Sequence, residues 1–249
     1  MRKARGYAPL ETSRTDLALV RRIVNHARTH GRGWVAGFDL DGCLFDTRPR
    51  QVHIFRELAA QKGWEQLTRV TTEHFLDWSL RNTMANAGLP EAWIDERYPT
   101  VRKFWEERFF SGEYVLYDHA MPGAARLVRA VHDAGLEVVY LTGRDIKMRL
   151  GTEESLRRFG FPYDRPAATL LTKPTFEMDD TEFKHSAMEN IDRLGKVAIY
   201  LDNEPANVNL FLDRHPEALV VFVETDHSPK PVEPAAGIPW LRSFLAEPV

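Results

Sequence analysis

Five short apolar runs, separated by stretches of helical pattern, constrain this 249-residue chain more than any other feature. They are WVAGFDL (34–40), LEVVYL (136–141), AATLLT (167–172), VAIYL (197–201) and ALVVFV (218–223). Each is too continuously apolar for a strand with one face in water, so both faces of the sheet they form must be covered. Helical spacing fills GAARLVRAVHDAG (123–135), KMRLGTEESLRRFG (147–160) and EFKHSAMENIDRLG (182–195). Ahead of the first strand, 13–30 places Leu17, Val20, Ile23, Val24 and Ala27 on one face. Ser13 or Thr15 can cap that helix, and Gly31 and Gly33 end it. Strand–helix–strand repetition predicts an α/β fold whose parallel strands are joined by right-handed crossovers.

Residues 48–118 break the alternation. They hold helical stretches rich in aromatics, namely Trp64, Phe75, Trp78, Trp93, Phe104, Trp105, Phe109 and Phe110, and no buried strand. Two readings are open, and both can hold because a lid needs a core too: most of these rings form the core of a small helical subdomain, and the inner surface of a lid selects a ligand. YVLYDHAMPG (114–123) reads as a short extended segment and turn that return the chain to the sheet. The proline-rich segment after Glu224 reads as a surface strap or tail.

Composition narrows the function. Hydrophobic residues at 43% and charged residues at 28% suit a folded protein, and a net charge of -3 offers no basic excess for a nucleic-acid partner. Cys43 is the single cysteine, so there is no intramolecular disulfide and no cysteine-based zinc site, which fits a reducing, cytoplasmic setting. The charged N-terminal stretch lacks the apolar core of a signal peptide. No apolar run approaches the roughly 20 residues of a membrane span.

Ligands of parallel α/β sheets bind beyond the carboxyl ends of the strands. There the first strand delivers Asp39 and Asp41 in GFDLDGCLFDT (37–47), the second Thr142 and Gly143 in LTGRD, and the fourth Asp202, Asn203 and Glu204 in LDNE. Lys173 and Lys184 lie between the third and fourth. Gathered carboxylates repel unless a cation sits among them, and hard oxygen donors suit Mg²⁺. The Thr142 hydroxyl, the Gly143 N–H and a lysine ammonium can hold an oxyanion. One aspartate can attack phosphorus while the other moves protons, and Gly42 permits the tight turn between strand and site. Cys43 reads as a small buried residue and Arg144 as a surface or salt-bridging arginine. Arg48, Arg50 and His53 read either as substrate contacts or as a solvated helix start.

DLDGCL, LTGR, a lysine opening a helix and LDNE resemble, in order, the four motifs of the haloacid dehalogenase superfamily. The resemblance covers roughly 34–46 and 119–223. It implies a Rossmann-like three-layer core of residues 1–47 and 119–249 with strand order 5-4-1-2-3, and a helical cap inserted at 48–118. Asp39 then resembles the nucleophile and Asp41 the general acid/base. Thr142, Gly143 and Lys184 would bind phosphate, with Lys173 the alternative lysine. Asp202 would hold Mg²⁺ with the Asp39 carboxylate and the Asp41 backbone carbonyl. An acid two residues after the nucleophile characterises the superfamily's phosphatases, so the resemblance implies a Mg²⁺-dependent phosphatase acting on a small phosphorylated metabolite. A phosphotransferase on the same core and a non-catalytic phosphometabolite-binding protein are the alternatives. Asn203 departs from the pattern, since a second acid often stands there.

Overall fold

The computed structural model describes residues 14–245. Ser13, one of the two expected caps of the first helix, lies outside them. Helix α1 (Arg14–His30) leads into β1 (Trp34–Phe38). A two-residue strand β2 (Phe45–Asp46) opens a helical excursion of α2 (Arg48–Lys62), α3 (Leu80–Asn86), α4 (Glu91–Phe109) and α5 (Gly112–Val115). Strand β3 (His119–Ala120) closes it by pairing antiparallel with β2, Phe45 opposite Ala120. The segment 114–123 is therefore partly helical at its start, where the sequence suggested extended chain. Then follow α6 (Ala124–Asp133), β4 (Glu137–Asp145), α7 (Arg149–Arg158), β5 (Ala168–Lys173), α8 (Asp180–Leu194), β6 (Lys196–Asp202), α9 (Pro205–Arg214), β7 (Leu219–Val223) and β8 (Trp240–Leu241).

The main sheet runs β5-β4-β1-β6-β7-β8, all pairs parallel. This is the expected five-strand order with one strand added at the edge. The addition is β8, which lies within the segment read as a strap or tail. Side chains alternate across the sheet as its period of two demands. Ala36, Phe38, Val138 and Tyr140 join one apolar cluster with Leu19, Val20, Ile23 and Ala27 of α1 and Leu127, Val128 and Val131 of α6. Val35, Val139 and Leu141 join another with Phe183, Ala187 and Ile191 of α8 and Val208 and Phe211 of α9. Both faces are thus covered, and the strands read as continuous apolar runs for that reason.

The excursion has its own apolar core. Val52, Ile54, Phe55, Leu58, Phe75, Met84, Ile94, Val101 and Phe104 are buried together, with Trp64 and Trp93 packed against them. No helix among the described residues is long and apolar enough to cross a membrane.

Three details aim the carboxyl edge of the sheet. Phe38 stands beside Tyr140 of β4 and Leu201 of β6, so Asp39, Thr142 and Asp202 emerge together. Strand β4 continues past its apolar run because Thr142 still pairs with Thr172, and a register shift separates that pair from Asp145 opposite Lys173. Pro205 opens α9 three residues beyond Asp202, at a position where its missing N–H has no partner to lose.

Candidate active site

The turn after β1 is wound tightly. The amides of Cys43, Leu44 and Phe45 all donate to the Leu40 carbonyl, and the Gly42 amide donates to that of Phe45. Gly42 has φ 78°, and a Cβ there would collide with the Asn203 amide, so only glycine lets the turn lie against the end of β6. Cys43 is fully buried beneath it, as its small apolar character predicts.

At the centre stands Lys184 of α8, 3% exposed, its Nζ 2.6 Å from Asp39 Oδ1 and 2.7 Å from Asp202 Oδ2. Burial alone would lower the lysine pKa, but Asp202 and Asp39 outweigh it and keep the ammonium charged. Burial pushes the Asp39 carboxyl well above the usual carboxylate range; Lys184 opposes that, and Asp202 and Asp41 add to it. Asp202 Oδ2 also accepts from the Tyr200 hydroxyl at 2.5 Å and Asn207 Nδ2 at 3.1 Å, while its Oδ1 accepts the Glu204 amide at 2.8 Å. Lys173, the alternative lysine, is placed otherwise. Its Nζ lies 2.6 Å from Asp180 and donates to the carbonyls of Phe176 and Met178, pinning the loop between β5 and α8. The Thr142 hydroxyl accepts the Arg144 amide at 3.2 Å, and Gly143 lies so close to Asp180 that a Cβ would meet its carboxylate at 2.8 Å.

Asp41 belongs to a second charged group. Arg144 Nε donates to Asp41 Oδ1 at 3.0 Å and its Nη2 makes a closer contact with the same oxygen. The same Nη2 donates to Asp118 at 2.7 Å. Arg50 Nε lies 2.9 Å from Asp118 Oδ1, and its Nη2 lies 3.6 Å from Asp41. Burial pushes the Asp41 carboxyl up, but Arg144 and then Arg50 hold it below its usual value. Asp118 is fully buried, and burial lifts it to about 6 against the pull of both arginines. Arg144 is thus a salt-bridging arginine, as expected of one alternative, but an interior one. Arg50 is fully buried, not a solvated helix start. The sequence reading missed Asp118 altogether.

A third cluster ties the segment after β7 to the same edge. The Thr225 hydroxyl donates to the Gly42 carbonyl, Asn203 Nδ2 to the Asp226 carbonyl, and Ser228 to Glu204 through both its amide and its hydroxyl. Asn203 Oδ1 is buried with no hydrogen-bond partner.

That orphaned oxygen bears on whether the site suits a hard cation. No three His, Cys, Asp or Glu side chains among the described residues form a metal cluster on their own. Asp39, Asp41, Asn203 and Glu204 nevertheless bring oxygen donors to one cavity, the donor chemistry of Mg²⁺, whereas Asp202, offered by the resemblance as a metal ligand, is fully buried beneath it with its oxygens taken by Lys184, Tyr200, Asn207 and the Glu204 amide. Lys184 stands between Asp39 and Asp202, and Arg144 and Arg50 hold Asp41 and Asp118, so these four acids face three cations and one negative charge is left for a further cation. The residues fit.

The cavity measures about 480 Å³ and is lined by Asp39, Asp41, Thr142, Gly143, Lys184 and Asn203 at its floor. Ligand sites of α/β folds occupy this place. Residues 35–160, half of the chain, match the family model of haloacid dehalogenase-like hydrolases, and the chain belongs to that family. Solved structures share the fold. A candidate phosphatase from Clostridium difficile aligns with a TM-score of 0.52 at 14% identity, over 80% of this chain and 89% of its own. A predicted phosphoglycolate phosphatase from Haemophilus somnus aligns with a TM-score of 0.50 at 14% identity, over 86% and 95%. No curated protein matches the chain.

Proposed function

We propose that this hydrolase is a Mg²⁺-dependent phosphatase that cleaves a small phosphate monoester through an aspartyl-phosphate, with residues 48–118 serving as a cap over the site. The observation that carries the reading is Lys184 Nζ at 2.6 Å from Asp39, with Thr142 and Asp41 on the same cavity. A carboxylate, a hydroxyl, an ammonium and a second carboxylate are what attack on a phosphoryl group and release of its alcohol require.

Asp39 attacks phosphorus. Thr142, the Gly143 amide and Lys184 hold the phosphoryl oxygens. When bound, Mg²⁺ would neutralise charge between an anionic nucleophile and an anionic substrate. The Asp39 carboxylate, the Asp41 carbonyl and the β6 end would hold it; there Asp202 is engaged by Lys184, and Asn203 Oδ1 is open. Asp41 donates a proton to the departing oxygen and later takes one from water. In the arginine grip it is set for the second half of that cycle. The first half requires the incoming phosphate to draw on the charge of Arg144. Closure of the cap over the cavity excludes bulk water from the intermediate.

Phosphate release from acetyl phosphate and an aryl phosphate, with and without Mg²⁺, tests the reading. Mg²⁺-dependent release that falls at least about a thousandfold in Asp39→Asn, with the circular dichroism spectrum unchanged, is the expected result. Release that survives the substitution rejects Asp39 as nucleophile.

A further inference from the structure

The aromatic residues of the helical excursion divide into two sets. Phe75 and Phe104 are buried in its core, with Trp64 and Trp93 against them. Trp105 and Phe109 pack against that core too but, with Trp78 and Phe110, line the cavity above Asp39, and Phe176 joins them from the loop between β5 and α8. Trp105 stacks on Phe109 with centroids 4.3 Å apart and planes at 15°. Phe110 meets Phe109 edge-on at 5.1 Å and Phe176 at 4.7 Å. The rings therefore form one wall that starts on α4 and crosses to the core.

Two members of the set keep much of their surface in water: Trp78 is 59% exposed and Phe176 47%. Exposed apolar surface costs about 25 cal/mol per Å² relative to burial, and these two rings bring theirs to the lining of one cavity. Such surface marks a place that a ligand covers, and faces and edges of rings select flat, polarisable partners.

Building on the phosphatase reading, we propose that the alcohol portion of the substrate carries a flat aromatic ring, aryl or nucleobase, held against the wall of Trp105, Phe110 and Phe176. The selectivity then resides at the junction of excursion and core, because Phe110 and Phe176 come from opposite sides of it.

Calorimetric titration with non-hydrolysable phosphonates in the presence of Mg²⁺ reads this without turnover. Phenylphosphonate is expected to bind the full-length protein at least about tenfold more tightly than methylphosphonate, in keeping with the strength of ring stacking. A nucleoside 5′-phosphonate compared with phenylphosphonate tells which ring is preferred. Trp105→Ala and Phe176→Ala should each reduce the phenyl-to-methyl ratio at least about threefold. Phe176 stands on an exposed loop, so its variant keeps the test open if Trp105→Ala fails to fold. Phenyl and methyl affinities within about twofold of each other, or a ratio unmoved in both variants, overturn the proposal. Phosphate release from acetyl phosphate and from an aryl phosphate judges the phosphatase reading separately: a protein that prefers phenylphosphonate but releases phosphate from neither retains the aromatic site and loses the activity. A protein that binds neither phosphonate loses the aromatic site, and loses the phosphatase reading too if it releases no phosphate.

Discussion

A single ammonium stands between two buried carboxylates at the centre of the site. Removing it in Lys184→Ala leaves Asp39 and Asp202 facing each other with nothing between them. The expected cost is about 3–5 kcal/mol of stability, together with loss of turnover. Lys173→Ala removes a partner from Asp180, whose side chain is 60% exposed and can turn to water, so its cost is smaller. Urea unfolding of the two variants makes the comparison, and equal losses would reject the division of labour between the lysines. Arg144 offers a second check. Its Nε and Nη2 both engage Asp41, a fork that lysine cannot reproduce. Arg144→Lys should therefore lower phosphate release about tenfold or more while the protein stays folded; activity at the wild-type level would show that charge alone suffices. Asp39, Asp41 and Thr142 were legible in the sequence because each follows an apolar strand. Asp118 was not. It lies in a connecting segment, and its role exists only because Arg50 and Arg144 approach it from distant positions in the chain. Arg144 could be read as a salt bridge but not as an interior one, since nothing in LTGRD announces which acid it meets.

Elements were legible where their burial is two-sided. The five long strands carry continuous apolar runs, and the fold places them within a few residues of their expected bounds. Strand β8 escaped notice because two residues after a proline-rich stretch have no periodicity to read. Helix α1 was visible as an amphipathic stripe, although Leu19 rather than Leu17 completes its buried face. One of its polar residues links it to the sheet: His26 Nε2 lies 3.1 Å from the Ala198 carbonyl of β6. Burial, then the neighbouring His30, lowers the His26 pKa below its usual 6.5. The unfolded chain then binds more protons than the folded one once the pH drops below 6.5. The stability that His26 contributes is present above that value and is lost as the pH falls through the folded pKa. His26→Gln should flatten the fall in melting temperature between about pH 6.5 and pH 5. A wild-type slope in the variant would show that acid lability arises elsewhere.

For the whole molecule, Arg50 is the rivet between excursion and core. It belongs to α2, donates to the Phe109 carbonyl of α4 at 2.8 Å, lies over the Phe109 ring at 4.1 Å and reaches Asp118 and Asp41 beyond. Arg50→Gln leaves Asp118 buried with half its counter-charge, and should lower unfolding stability by about 3–5 kcal/mol. Arg102→Gln, on the exposed face of α4 beside Glu106, should unfold at the wild-type midpoint. Similar midpoints for both variants would deny the buried cluster any part in joining the two regions.

The ladder of β2 and β3 has a consequence for redesign. Because the chain leaves and re-enters the core on neighbouring strands, Phe45 beside Ala120 and Asp46 beside His119, the two cut ends are already adjacent. A different helical module, or a tight turn, can be spliced across that gap without moving Asp39, Thr142 or Lys184. Such a graft keeps Phe176 but removes Arg50, Asp118 and Phe110, so Arg144 alone would hold Asp41 and the new module would have to complete the ring wall.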